Sequence, residues 1–211
     1  EGFATYFTLM FREHAYGRDD FVQGLKEAKK RVFDFYETDK DASIVHNNLK
    51  DMKDVLTYSL QYQKGAWVLH MLRNYVGEDN FRNGIRNYYN KYYNSNTTTE
   101  EFKLEMENAS GKDLDKFFDQ WLYKGGIIKL DISWSYNERL KQIEIKLDQV
   151  QDDGYLFEMP VELQLIYDNK SRIEKIFMDK KSKKYVISSD YNPKEIKLDP
   201  HIKLLAKWNI N

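Results

Sequence analysis

Hydrophobic positions along the chain change period once, and that change divides it in two. From Phe3 the apolar residues fall at Phe3, Phe7, Met10 and His14, spaced four, three and four, which predicts one face of an amphipathic helix stopped at Gly17. Asp19 and Asp20 read as the cap of a second helix with Phe21, Leu25, Ala28, Val32 and Tyr36 on its face. A polar, aperiodic connection follows from Thr38 to Tyr58 and includes Asn47-Asn48. It is longer than usual, which points to a functional or surface-wrapping segment. Leu60 to Val76 predicts a third helix with Val68, Leu69, Leu72 and Val76 inward, and Gly77 stands just past its end. Phe81, Ile85, Tyr88 and Tyr92 carry a fourth. Thr98 with Glu101 three residues on is a capping-box signature for a fifth, through Phe102 and Met106 to Ser110-Gly111. Leu114, Phe117, Phe118, Trp121 and Leu122 form a sixth, closed by Gly125-Gly126.

After that glycine pair the period drops to two. Ile128, Leu130, Ile132, Trp134 and Tyr136 alternate with polar residues, as do Ile143, Ile145 and Leu147, and then Val161, Leu163, Leu165 and Tyr167. Asp168-Asn169 predicts a tight turn, with further strands over 173–178 and 185–188 and the lysine-rich 180–184 between them as a solvated hairpin tip. Pro193, Ile196, Leu198 and Asp199-Pro200 lead to a short closing segment, Leu204-Leu205 to Trp208. The fold class expected is α+β: a helical domain over 1–126, then a small antiparallel β-sandwich over 127–211 with about six strands.

Composition narrows the chemistry. The 211 residues contain no cysteine, so disulfides and thiolate metal sites are excluded and any metal must use His, Asp or Glu. Thirty-three basic and thirty-four acidic residues are interspersed, which argues against a nucleic-acid surface. No apolar run approaches a membrane span. Walker, dinucleotide and nucleophile-elbow motifs are absent, and Gly125-Gly126 stands in helix-to-strand order, the reverse of a phosphate cradle. The four histidines, His14, His46, His70 and His201, form no pair at metal-ligand spacing, and no His-Glu-x-x-His occurs. His14 and His70 lie on or beside apolar helix faces, where hydrogen-bonded core histidines are expected.

Several ordered motifs resemble one family. Glu1-Gly2-Phe3-Ala4-Thr5-Tyr6 is similar to the Glu-Gly-Phe-Ala helix of the M1 zinc aminopeptidases (gluzincins), and Tyr62-Gln63-Lys64-Gly65-Ala66 to the same family's Tyr-x-Lys-Gly segment. Thr98-Thr99-Glu100-Glu101-Phe102, Ser110-Gly111 and Phe117-Phe118-Asp119-Gln120-Trp121-Leu122 resemble its closing helices. Leu147-Asp148-Gln149 with Gln151, Pro160, and Leu198-Asp199-Pro200 with Leu204-Leu205 resemble its small β-domain. Two departures stand out. Gly126-Ile127-Ile128 lacks the proline of the family's Gly-x-Pro, and Glu105-Met106-Glu107-Asn108 only echoes its Gly-x-Met-Glu-Asn signature, with Leu104 in place of glycine on a late helix.

The resemblance implies that the helical domain is the C-terminal part of a thermolysin-like catalytic domain. It implies a Zn²⁺ cofactor with Glu1 as third protein ligand beside two histidines of a His-Glu-x-x-His helix, whose glutamate is the general base. Tyr62 is implied as the electrophile that stabilises the oxyanion, and the substrate as a peptide losing its N-terminal residues. Lys64 and Gly65 are expected to be architectural. Because the chain starts in mid-helix without an initiator methionine, it reads as part of a longer protein whose N-terminal half supplies the other ligands, and alone it is expected to be inert and to hold no zinc. The competing reading is a non-catalytic, M1-like interaction scaffold.

Overall fold

The computed structural model describes residues 1–46, 51, 55–152 and 154–211, and resolves two compact units, Glu1–Gly126 and Ile127–Asn211. Of the polar connection expected over 38–58, residues 47–50 and 52–54, Asn47-Asn48 among them, lie outside the described residues.

The first unit is helical: α1 (Gly2–Tyr16), α2 (Arg18–Tyr36), a π-helical segment (Tyr58–Lys64) running straight into α3 (Gly65–Val76), α4 (Glu78–Lys91), α5 (Thr99–Ser110) and a short α6 (Asp115–Phe118) that relaxes into a second π turn (Asp119–Tyr123). Glycines at positive φ break the chain between α1 and α2 (Gly17, φ 98°) and between α3 and α4 (Gly77, φ 93°). Gly17, not Asp19 or Asp20, is the N-cap of α2, and the two aspartates occupy its first turn, where carboxylates complement the helix dipole. The capping box is formed: Thr98 Oγ1 accepts from the Glu101 N–H and the Glu101 carboxylate accepts from the Thr98 N–H.

The face predicted for α1 is displaced. Tyr6 and Leu9 are the buried residues, whereas Phe7 is 39% exposed and His14 is fully on the surface. The four-three-four spacing of Phe3, Phe7, Met10 and His14 marks a neighbouring stripe, and burial follows the side that meets α2 and α3. Trp67, wholly buried, donates from Nε1 to the Leu25 carbonyl at 3.0 Å and so ties α3 to α2. Glu105 and Met106 of the signature-like run are buried in α5, with Glu105 paired to Lys91 at 2.6 Å, a structural placement.

The second unit contains β1 (Ile128–Asn137), β2 (Gln142–Gln149), β3 (Met159–Ile166), β4 (Ser171–Met178), β5 (Ser182–Ser188), β6 (Glu195–Leu198) and β7 (Ala206–Ile210). They form a sheet ordered β5-β2-β1-β7 and a second ordered β4-β3-β6. The β1/β2 and β3/β4 hairpins match the alternation in the sequence, with Ile132 opposite Leu147 and Leu163 opposite Glu174. Two expectations are corrected. The lysine-rich stretch is no hairpin tip, since β4 and β5 belong to different sheets, and Lys183 and Lys184 lie within β5, paired to Leu147 and Lys146. The closing segment is a strand that pairs with β1 in parallel, Ile128 opposite Ala206, so the first sheet is not wholly antiparallel. Ile132, Ile143, Ile145 and Leu147 of one sheet and Val161, Leu163, Leu165 and Ile196 of the other make the buried faces. Among the described residues no helix is long and apolar enough to cross a membrane.

Candidate active site

Glu1 and Tyr62, sixty-one positions apart in sequence, meet where α1 begins against the end of the π segment. Two glycines make that approach possible. A Cβ at Gly2 would stand 2.8 Å from the Gly65 carbonyl carbon, and one at Gly65 would stand 3.0 Å from Gly2 Cα. Both values are below ordinary van der Waals contact, so the α1 backbone lies directly on the start of α3.

Glu1 is the N-cap residue of α1 but its side chain makes no capping bond. The carboxylate is exposed, and no cation pairs with it among the described residues. It faces the Tyr62 phenol. Burial raises the Tyr62 pKa above the ordinary tyrosine range, and Glu1 raises it further, through its charge and as a hydrogen-bond acceptor. The phenol therefore keeps its proton at neutral pH and is available as a donor. Tyr58 packs beside it with ring centroids 5.3 Å apart, and the Arg31 guanidinium lies 5.5 Å from the Tyr58 ring centroid. Tyr62 and Tyr58 line an open cleft of about 330 Å³ together with Thr5, Thr8, Arg12 and Arg31. Arg12 is held there by a bidentate pair with Asp20 at 2.6 and 3.0 Å.

Behind the site, α1 is clamped to α3. The Tyr6 hydroxyl, fully buried, shares a hydrogen bond with His70 Nδ1 at 3.1 Å and accepts one from Arg73 at 3.2 Å. Burial pushes the Tyr6 pKa up to about 12, against the opposing pull of Arg73. His70 is thus the hydrogen-bonded core histidine expected. His14 is not, and His201 pairs with Glu162 at 2.9 Å in the β unit.

The Glu1 carboxylate, exposed and paired with no cation among the described residues, suits one oxygen position of a zinc ion. Among the described residues Glu1 belongs to no cluster of three or more His, Asp or Glu groups close enough to share a metal ion. The one cluster of three acidic groups among them, Glu107, Asp113 and Asp115, is engaged otherwise, since Glu107 accepts the Leu114 N–H at 2.9 Å and Asp115 pairs with Lys103. Sequence reasoning missed Tyr58 and the buried state of Lys64. The Tyr58/Tyr62 spacing of four, one helical turn, was the available signal for the former.

Comparison with known proteins places the chain in a family. The family model described as "Peptidase family M1 domain" matches residues 1–121. Aminopeptidase N of Lactococcus lactis subsp. lactis is 30% identical over 105 residues, covering 49% of this chain and 12% of that protein. Aminopeptidase A of Gloydius brevicauda is 26% identical over 179 residues, covering 76% of this chain and 18% of its own length. The chain therefore spans less than a fifth of these relatives. The crystal structure of Legionella pneumophila aminopeptidase A in complex with aspartic acid superposes with a TM-score of 0.79 over 99% of this chain and 23% of that one, at 20% identity, a likeness of fold. The chain belongs to peptidase family M1.

Proposed function

We propose that the full-length protein containing this chain is a zinc-dependent aminopeptidase, with Glu1 as a metal ligand and Tyr62 as the oxyanion donor. The observation that carries this reading is the meeting of Glu1 and Tyr62 across the Gly2/Gly65 contact. Residues outside this chain would supply the remaining ligands and the general base. When bound, zinc polarises the scissile carbonyl and acidifies a water molecule.

The chain's own residues act around that chemistry. Glu1, the N-cap of a helix fixed by Tyr6, His70 and Arg73, would offer a carboxylate oxygen to the metal. Tyr62, protonated because burial and Glu1 disfavour the phenolate, points a donor at the oxygen that gains negative charge when the carbonyl becomes tetrahedral. Such a donor stabilises the transition state more than the substrate, so it acts on kcat. The cleft lined by Tyr58, Tyr62 and Arg31 gives the peptide room beside the phenol. The helical unit is read as the C-terminal part of the catalytic domain, and the β unit as the domain that follows it.

The decisive experiment is Tyr62→Phe in the full-length protein, assayed on an aminoacyl anilide. We expect kcat to fall by about 10²–10³ with zinc content unchanged. A variant retaining full kcat refutes the role given to Tyr62.

A further inference from the structure

The least expected group near this site is an amine buried without a counter-ion among the described residues. Lys64 is 2% exposed, and no carboxylate pairs with it among the described residues. Its Nζ donates to the Tyr36 hydroxyl at 2.7 Å and to the Lys124 carbonyl at 3.1 Å. The Tyr36 hydroxyl donates its own hydrogen bond to the Ala42 carbonyl at 2.8 Å, so its oxygen is an acceptor for Lys64. Among the described residues these two acceptors match the two N–H groups of a neutral amine, whereas an ammonium would bury a third donor with no acceptor among them. Burial alone draws the Lys64 pKa down to about 7. A methionine of similar length would fill the space without that desolvation penalty.

What the amine does structurally is join three stretches of chain. Tyr36 ends α2, Lys124 follows the second π turn, and Lys64 is the last residue of the π segment. The same segment is fixed again at Gln61, whose Nε2 donates to the Ile44 carbonyl at 3.1 Å and whose Oε1 accepts the Thr57 N–H at 2.9 Å. Its widened turn is visible in the Gly65 N–H, which reaches back to the Leu60 carbonyl. The π register turns Gln63 and Lys64 inward and leaves Tyr62 on the cleft. Slippage to ordinary α geometry would rotate Tyr62 away from Glu1, and π turns often occur at functional sites.

We propose that Lys64 is a positioning residue for Tyr62: its bonds to the Tyr36 hydroxyl and the Lys124 carbonyl hold the π register that aims the phenol. The inference rests on the role proposed for Tyr62, and its test separates the two. In the full-length protein, Lys64→Met, Tyr62→Phe and the double variant are compared for kcat, KM and zinc content. Lys64→Met is expected to lower kcat about 10- to 100-fold, the scale of a small misplacement of a reacting group, with KM changed less than about threefold and zinc retained. In the Tyr62→Phe background the same substitution should cost less than about twofold in kcat, because the donor it aims is already gone. An equal loss in both backgrounds, or full kcat in Lys64→Met, overturns the proposal. Full kcat in Tyr62→Phe alone overturns the underlying role as well, and is recognised from that single variant. If Lys64→Met does not fold, Tyr36→Phe, which removes one of the amine's two acceptors and keeps the ring, takes its place in the cycle with the same outcomes.

Discussion

Gly2 and Gly65 touch backbone to backbone: a Cβ on Gly2 would come within 2.8 Å of the Gly65 carbonyl carbon and 2.9 Å of its Cα. Each belongs to a motif of the family resemblance that begins at a proposed site residue, Glu1 for Gly2 and Tyr62 for Gly65. Their contact fixes the distance between those residues.

This contact sets the sign of a first prediction. Replacing a helical glycine by alanine ordinarily stabilises a protein by about 0.5–1 kcal/mol. Gly2→Ala should do the opposite, because the methyl group meets backbone that cannot rotate away. We expect a loss of about 1–3 kcal/mol in chemical denaturation and a fall in kcat in the full-length protein. Increased stability would show that the helices separate freely there.

Lys64 predicts a pH dependence. Its folded pKa, about 7, lies below the ordinary value of 10.5, so between those values the unfolded chain binds the additional proton. Stability from this group is therefore least below about pH 7, rises as pH climbs from about 7 to 10.5, and is then constant. The maximum slope is about 1.4 kcal/mol per pH unit. Tyr36, the titratable group facing it, is held well above its ordinary pKa by burial and stays neutral through most of that window. Urea denaturation at a series of pH values should show the rise, and Lys64→Met should remove it.

By itself the 211-residue chain offers one carboxylate at the proposed metal position and no His-Glu-x-x-His. It should release no product from aminoacyl anilides and show no stoichiometric zinc binding by calorimetry. Tight binding at one equivalent would mean that ligands within this chain had been overlooked.

Much of the fold was legible because its signals are local. The capping box at Thr98 and Glu101, the stop at Gly17 and the switch of period after Gly126 depend on residues a few positions apart. The failures are tertiary. Nothing local says that α1 buries Tyr6 and Leu9 instead of Phe7 and His14, that β5 leaves β4 for the other sheet, or that Ala206–Ile210 returns in parallel beside β1. Glu1 and Tyr62 are singled out only by motif resemblance, since periodicity alone gives them no distinction. The burial of Lys64 was hidden because a lysine between a glutamine and a glycine reads as surface until the acceptors at Tyr36 and Lys124 are in place.

Gln149 offers a test within the β unit. Its side chain, 2% exposed, donates from Nε2 to the Phe157 carbonyl at 2.7 Å and accepts the Phe157 N–H at Oε1 at 3.0 Å, as an extra strand residue would. Gln151 donates to the same Oε1 at 2.9 Å and to the Tyr155 carbonyl at 2.8 Å, so two glutamines peg residues 155–157 against the end of β2. Gln149→Leu keeps most of the volume but removes the two side-chain hydrogen bonds to the Phe157 N–H and carbonyl. A buried hydrogen bond contributes about 0.5–1.5 kcal/mol net, more where desolvation is high, and two are lost here. We expect this substitution to destabilise the chain by about 2–4 kcal/mol in urea, with Gln151→Leu, at the more exposed position, costing less than about 1 kcal/mol. Equal effects would mean that the two glutamines act as one network, and the pair should then be strongly non-additive in the double variant.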